Sequence, residues 1–175
     1  MPELELLVKK VALLLSDSVS NQLQTHFTCR FFAKKQIPFQ AIQKLESDYF
    51  TFSLFNLDKS PVLIAVDSAI IYQLSNRLLG GDGAVEYREK IIFTPSDYAL
   101  GHHLVNWTRA AFRKLDIDLV LGKEADSPKF FHLFLPDELV WQVAFEVKID
   151  SHQAGMIFLC VDRDFQWESI KETSE

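Results

Sequence analysis

A repeat at an offset of 95 residues constrains this chain more than any other feature. Pro61-Val62-Leu63-Ile64-Ala65-Val66-Asp67 is an apolar run that stops at an aspartate, and Gly155-Met156 to Val161-Asp162 repeats that pattern 95 residues later. The same offset lays Phe50, Phe52 and Leu54 on Phe145, Val147 and Ile149, and the turn near Asp58-Lys59 on His152-Gln153-Ala154. A helix from Pro2 then corresponds to a helix from Pro95, within a couple of residues. Each unit reads helix, irregular strand, hairpin, capped helix. Neither unit alone has the area to bury its sheet face, so the two must share one core. The expected fold is an α/β layered domain with a mostly antiparallel sheet and pseudo-two-fold symmetry. It is expected to be a single domain over residues 1–175, with half-units of about 1–83 and 94–175.

Periodicity places the elements. Leu4, Leu7, Val11 and Leu14, widened by Leu15, Val19 and Leu23, give an amphipathic helix from Pro2 to about Gln24. Residues Thr25 to Ile37 begin as a strand (Phe27, Cys29, Phe31), and Pro38 interrupts the segment. Phe39 to Ser47 has room for a short helix. Tyr49 to Leu57 alternates, and Val62 to Val66 reads as a buried strand of the same hairpin. Asp67 caps the helix that follows. Thr94, Pro95 and Asp97 form a helix start with a capping box, and that helix runs to Leu115 over Leu100, Leu104, Trp107 and Ala111. Strands are expected over Asp116 to Gly122, Phe130 to Leu135, Leu139 to Ile149 and Met156 to Val161, with a turn over Asp150 to Gly155. Asp162 caps a last helix holding Phe165 and Ile170.

Composition bounds the function. The chain has 175 residues, 48% hydrophobic and 24% charged, with a formal net charge of -6. That mix is ordinary for a globular domain, and it offers no basic footprint for nucleic acid. The two cysteines, Cys29 and Cys160, lie far apart and read as reduced buried thiols, which fits a cytoplasmic protein. The acidic start Met1-Pro2-Glu3-Leu4-Glu5 is unlike a targeting signal, and no apolar run is long enough to span a bilayer.

Leu78-Leu79-Gly80-Gly81-Asp82-Gly83 stands apart, because three of the chain's six glycines fall within it. Gly80 sits where the first residue past a helix end turns left-handed. Gly81, Asp82 and Gly83 extend a loop almost free of side-chain bulk, open to close approach by another backbone. The plain alternative is a helix C-cap followed by a turn. Nucleotide binding is excluded: phosphate cradles lead from a strand into a helix N-terminus, and no Lys-Ser or Lys-Thr follows these glycines.

No catalytic constellation emerges. His102 and His103 are adjacent on a helix and so point about 100° apart, which does not suit one metal ion; one is expected toward solvent and one beside the core. His26, His132 and His152 are isolated, and no GxSxG elbow is present. Ser16, Ser18 and Ser20 read as helix surface, Asn106 as an exposed polar residue, and Trp107 and Trp141 as core aromatics. Neither a cofactor nor a small-molecule substrate is expected.

The strand Val62 to Asp67, the helix ending Asn76-Arg77-Leu78-Leu79, the Gly80-Gly81-Asp82-Gly83 loop and the helix start Phe93-Thr94-Pro95 together resemble the middle domain of the flagellar motor switch protein FliM family. The strand Met156 to Val161 and the segment to Ile170 are similar to that family's closing strand and helix. Asp97 stands where the family usually has glutamate, and Val161 where it often has proline. The resemblance implies a CheC/FliM-middle-like fold of two related halves and a scaffold role. It implies side-by-side packing with copies of itself or FliM/FliN-like subunits in the cytoplasmic switch ring (C-ring), reaching the membrane only through that assembly. It further implies docking of a FliG-like rotor protein through Gly80, Gly81, Asp82 and Gly83. Read on that resemblance, residues 1–175 are expected to correspond to the middle domain without the family's response-regulator-capturing segment or its C-terminal β-rich domain. An excised domain, a stand-alone paralogue and a type III secretion switch-ring relative therefore remain open. The same fold houses CheC-type phosphatases, whose helix carries Asp or Ser, then Glu four residues on, then Asn three further. Here Asn106 is preceded by His103 and Ala99, and Asn21 by Ser18 and Leu14, so no phosphatase activity is expected.

Overall fold

The computed structural model describes residues 2–45, 49–57, 60–80, 93–125 and 132–164. Within them the order is α1 (Pro2–Leu23), β1 (Phe27–Pro38), α2 (Phe39–Gln43), β2 (Phe50–Leu57), β3 (Ser60–Asp67), α3 (Ser68–Leu78), α4 (Pro95–Arg113), β4 (Val120–Ala125), β5 (Leu139–Ile149) and β6 (His152–Asp162). Among the described residues the strands form one sheet, β1-β5-β6-β3-β2-β4, with every pairing antiparallel. That order reads as two equivalent triplets meeting at β3 and β6. Their ladder centres on Ile64 opposite Leu159, flanked by Val62 opposite Val161 and Val66 opposite Ile157. Adding 95 to one strand and subtracting it from the other returns the same pairs, as a pseudo-dyad through Ile64 requires. The expected α/β layered architecture, with its antiparallel sheet and pseudo-two-fold relation, is what the chain adopts.

Two cores flank the sheet. Helices α1, α3 and α4 bury Leu4, Val8, Leu15, Ile70, Leu74, Leu104 and Phe112 against Phe55, Ile64, Phe145 and Leu159 on one face. On the other face α2 places Phe39 and Ile42 over Phe52, Leu63, Val140 and Cys160.

The hairpins do not obey the 95-residue offset throughout. Phe50 pairs with Asp67, whereas Val140 pairs with Asp162, so β2 and β5 correspond at an offset of 90. Phe50 and Phe52 face the α2 side, while Phe145, Val147 and Ile149 face the three-helix side. The superposition expected from sequence is thus wrong for these residues. Between the equivalent pairs Leu57/Ser60 and Val147/Gly155 the second hairpin carries five extra residues. Because that number is odd, side-chain alternation shifts to the opposite face. The turn there is also tighter than expected: it is Asp150-Ser151, and His152 already belongs to β6.

Three further expectations are corrected. Strand β1 runs unbroken to Pro38, accommodating Phe32 through a bulge between Phe31 and Ala33. Strand β4 begins at Val120, not Asp116. His132 to Leu135 form no strand; the turn that follows supplies backbone acceptors, Glu138 O to Phe39 N–H and Pro136 O to Gln40 N–H, both at 2.8 Å. The helix expected after Asp162 lies outside the described residues. Asp162 nevertheless accepts from Asp164 N–H at 2.8 Å, just as Asp67 accepts from Ala69 N–H at 3.0 Å.

Ser16 and Ser20 are not surface decoration. Ser16 Oγ accepts from Cys29 N–H at 2.8 Å and lies 3.1 Å from the Cys29 carbonyl. Ser20 Oγ accepts from Phe27 N–H at 3.1 Å and donates to the Phe27 carbonyl at 2.9 Å. Four helical residues rise about 6 Å and two strand residues about 6.8 Å, so hydroxyls at i and i+4 reach alternate residues of a neighbouring strand. Helix α1 thereby satisfies the outer backbone groups of an edge strand that would otherwise stand open.

Candidate partner-docking site

The glycine corner is the end of α3, and α3 is fixed first at its other end. Asp67 is 2% exposed, and its carboxylate caps the helix. The helix buries Ile70, Ile71 and Leu74 and runs to Leu78. Leu79 N–H then donates to Ser75 O at 3.1 Å and Gly80 N–H to Arg77 O at 3.0 Å. Gly80 has φ +90°, the left-handed conformation that costs an L side chain most and glycine least. A Cβ built there meets nothing within 4 Å among the described residues, so what glycine serves there is the backbone angle. Leu78 is 55% exposed and Leu79 84%, which makes the corner apolar as well as bare. Gly81, Asp82 and Gly83 lie outside the described residues.

Several contacts that sequence reading missed hold α3 in place. Gln73 Nε2 donates to the Ala154 carbonyl at 3.0 Å, and Arg77 forms an ion pair with Asp150. Gly155 lies so close to Asp67 that a Cβ there would sit 2.8 Å from Oδ2. On the α4 side the Thr94 capping box closes as expected: Thr94 N–H donates to Asp97 at 2.8 Å and Asp97 N–H to Thr94 Oγ1 at 3.3 Å. Burial pushes the Asp97 carboxyl up, but hydrogen bonds from Ser75 and Thr94 outweigh it and leave it below the usual aspartate value. Ser75 thus ties α3 to the start of α4. Such links join residues distant in sequence, and only the aspartate caps carried a local signal.

The remaining candidates do not assemble. His102 and His103 are both exposed, where one was expected beside the core, and His103 stacks on Trp107 with centroids 5.7 Å apart. Asn106 is exposed, as expected. Trp107 and Trp141 are only partly buried against the main core. Cys29 and Cys160 are buried on opposite sheet faces. Burial pushes both thiols up to about 12, with the Asp162 charge adding to the effect at Cys160. Both therefore stay protonated and unreactive at neutral pH. Among the described residues no group of histidine, cysteine and carboxylate could hold a metal, and no helix is long and apolar enough to cross a membrane.

Comparison with known proteins follows the same lines. The family model described as flagellar motor switch protein FliM matches residues 1–172. Among solved structures, a chain of the Helicobacter pylori FliM–SpeE complex is similar with a TM-score of 0.78 at 16% identity, over 98% of this chain and 91% of that one. The FliM middle domain of Vibrio alginolyticus is similar with a TM-score of 0.74 at 16% identity, over 97% and 96%. A chain of the H. pylori FliG–FliM complex gives 0.72 at 16% identity, over 89% and 88%. No curated protein sequence matches the chain.

Proposed function

The chain belongs to the FliM family of flagellar motor switch proteins, and from that premise we propose that it is a non-catalytic scaffold of a switch ring. In this reading residues 1–175 act as one domain with half-units of about 1–83 and 94–175, working in the cytoplasm at the base of a flagellum. The corner Gly80, Gly81, Asp82 and Gly83 docks a FliG-type rotor protein, and copies associate side by side with one another or with FliM/FliN-like subunits. Leu6 and Leu13, seven residues apart and both exposed on α1, supply apolar surface for such association. Phosphatase chemistry is not part of this reading. The residue three before Asn106 is His103 and the one three before Asn21 is Ser18, where that chemistry needs glutamate.

One observation carries the docking assignment. Helix α3 ends in exposed Leu78 and Leu79 and a left-handed Gly80 whose Cα side meets nothing among the described residues. A partner element can thus meet main-chain donors and acceptors beside an apolar rim. Gly81→Arg places a bulky charge in the same loop and should abolish capture of a FliG-type partner while leaving the melting temperature unchanged. Undiminished binding by that variant would remove the assignment.

A further inference from the structure

We propose that the tip of the β5–β6 hairpin is a positioning element for the docking corner, with Asp150 acting through Arg77. The inference rests on the docking reading above and names what holds that corner in its working orientation. The five residues by which this hairpin exceeds its counterpart carry Asp150-Ser151 to the end of α3. The turn itself is pinned. Asp150 and Ser151 have φ of 50° and 67°, the pair of left-handed angles a type I′ hairpin turn demands, without a glycine at either place. Asp150 N–H donates to the His26 carbonyl at 2.8 Å, which anchors the turn to the α1–β1 connection. With its backbone so held, Asp150 presents its carboxylate to Arg77.

Arg77 works at both ends of the linkage. Its carbonyl accepts the Gly80 N–H that closes the left-handed corner, and its guanidinium holds the hairpin. One turn earlier Gln73 makes a second, buried tie to Ala154. The last turn of α3 needs such ties, because a cleft of about 200 Å³ lies between it and the α1–β1 connection, lined by Leu23, Thr25, Leu74, Arg77 and Leu78. Among the described residues, packing therefore leaves Leu78 open on that side. An ion pair whose side chains are 36% and 31% exposed adds little to global stability, so its effect should be local.

Asp150→Asn in the full chain is the test. Asparagine tolerates the left-handed turn, so the fold is kept while the charge is removed. Calorimetric titration with a FliG-type protein should show a dissociation constant weakened about two- to fivefold, the range open to a partly exposed pair. The melting temperature should hold, and amide hydrogen exchange at Leu79 and Gly80 should quicken. Unchanged affinity alongside a Gly81→Arg variant that no longer binds would overturn the inference and leave the docking reading standing. Binding unaffected by either change would overturn both. Weakened affinity with unaltered exchange at Leu79 and Gly80 would mean that Asp150 touches the partner itself, and a parallel fall in melting temperature would mean a general structural role. Either result overturns the positioning assignment.

Discussion

Gly155→Ala should be among the most damaging single-methyl changes this chain can receive. The added Cβ would lie 2.8 Å from Asp67 Oδ2, 2.9 Å from Cγ and 3.0 Å from Cβ. Ordinary contact begins near 3.4 Å, so the carboxylate must retreat by about 0.6 Å. Rotation about the last side-chain bond cannot provide this, because Asp67 Cβ is itself one of the crowded atoms. Overpacking of this kind costs about 1–3 kcal/mol. Moving the carboxylate also loosens its bond to Ala69 N–H, a helix cap worth roughly 1 kcal/mol. The sum, about 2–4 kcal/mol, corresponds to a melting temperature lower by roughly 5–15 °C for a domain of this size. Urea and thermal unfolding followed by far-UV circular dichroism would measure it. Asp67→Ala removes the cap together with the two closest atoms, so in that background Gly155→Ala should cost at least about 1 kcal/mol less. A cost below about 0.5 kcal/mol, or one that is the same in both backgrounds, would refute the contact as the cause.

Asp97→Asn should lower stability by about 1 kcal/mol near neutral pH, since it weakens the capping box and the tie to Ser75. The folded-state pKa of Asp97 is depressed, so its contribution is complete above the unfolded value of ~3.9 and is lost as pH falls through the folded value. Melting curves of the two proteins should therefore begin to converge as pH falls below about 3.9 and meet only below the folded value, and a constant difference down to the lowest pH would contradict this. Ser16→Ala leaves Cys29 N–H without the hydroxyl acceptor it has now, at a cost of about 1–3 kcal/mol. Its clearest sign is faster amide exchange at Cys29, and protection equal to that of the unmodified chain would count against edge capping by α1.

Much of this fold was legible where the signal was local or was repeated. The runs ending in Asp67 and Asp162 announced two strands, each closed by an aspartate that accepts from the backbone N–H two residues on, and those strands meet at the centre of the sheet. Thr94, Pro95 and Asp97 announced a helix start, and Gly80 a left-handed helix exit. The hairpin register was not legible, because apolar alternation has period two and every shift of the second hairpin keeps some alternation intact. Only the pairing of Val140 with Asp162 shows that the shift is odd. Ser16 and Ser20 were misread for a related reason: a serine on a helix flank looks the same whether it faces water or a strand edge. For the candidate site, the left-handed exit at Gly80 was readable, while Gln73–Ala154 and Arg77–Asp150 depend on how the chain returns past α3. No short-range pattern encodes that return.

The hydroxyls that α1 offers to Phe27 and Cys29 also bear on how copies of this domain can meet. A sheet margin whose Phe27 and Cys29 groups are already taken by its own helix, then bulged at Phe32 and followed by Lys34, Lys35 and Pro38, offers an incoming strand a poor ladder to join. Neighbours on that flank must meet side chain to side chain. A subunit held in that way can leave and be replaced while its β-structure stays closed, and its neighbour need not unfold to release it.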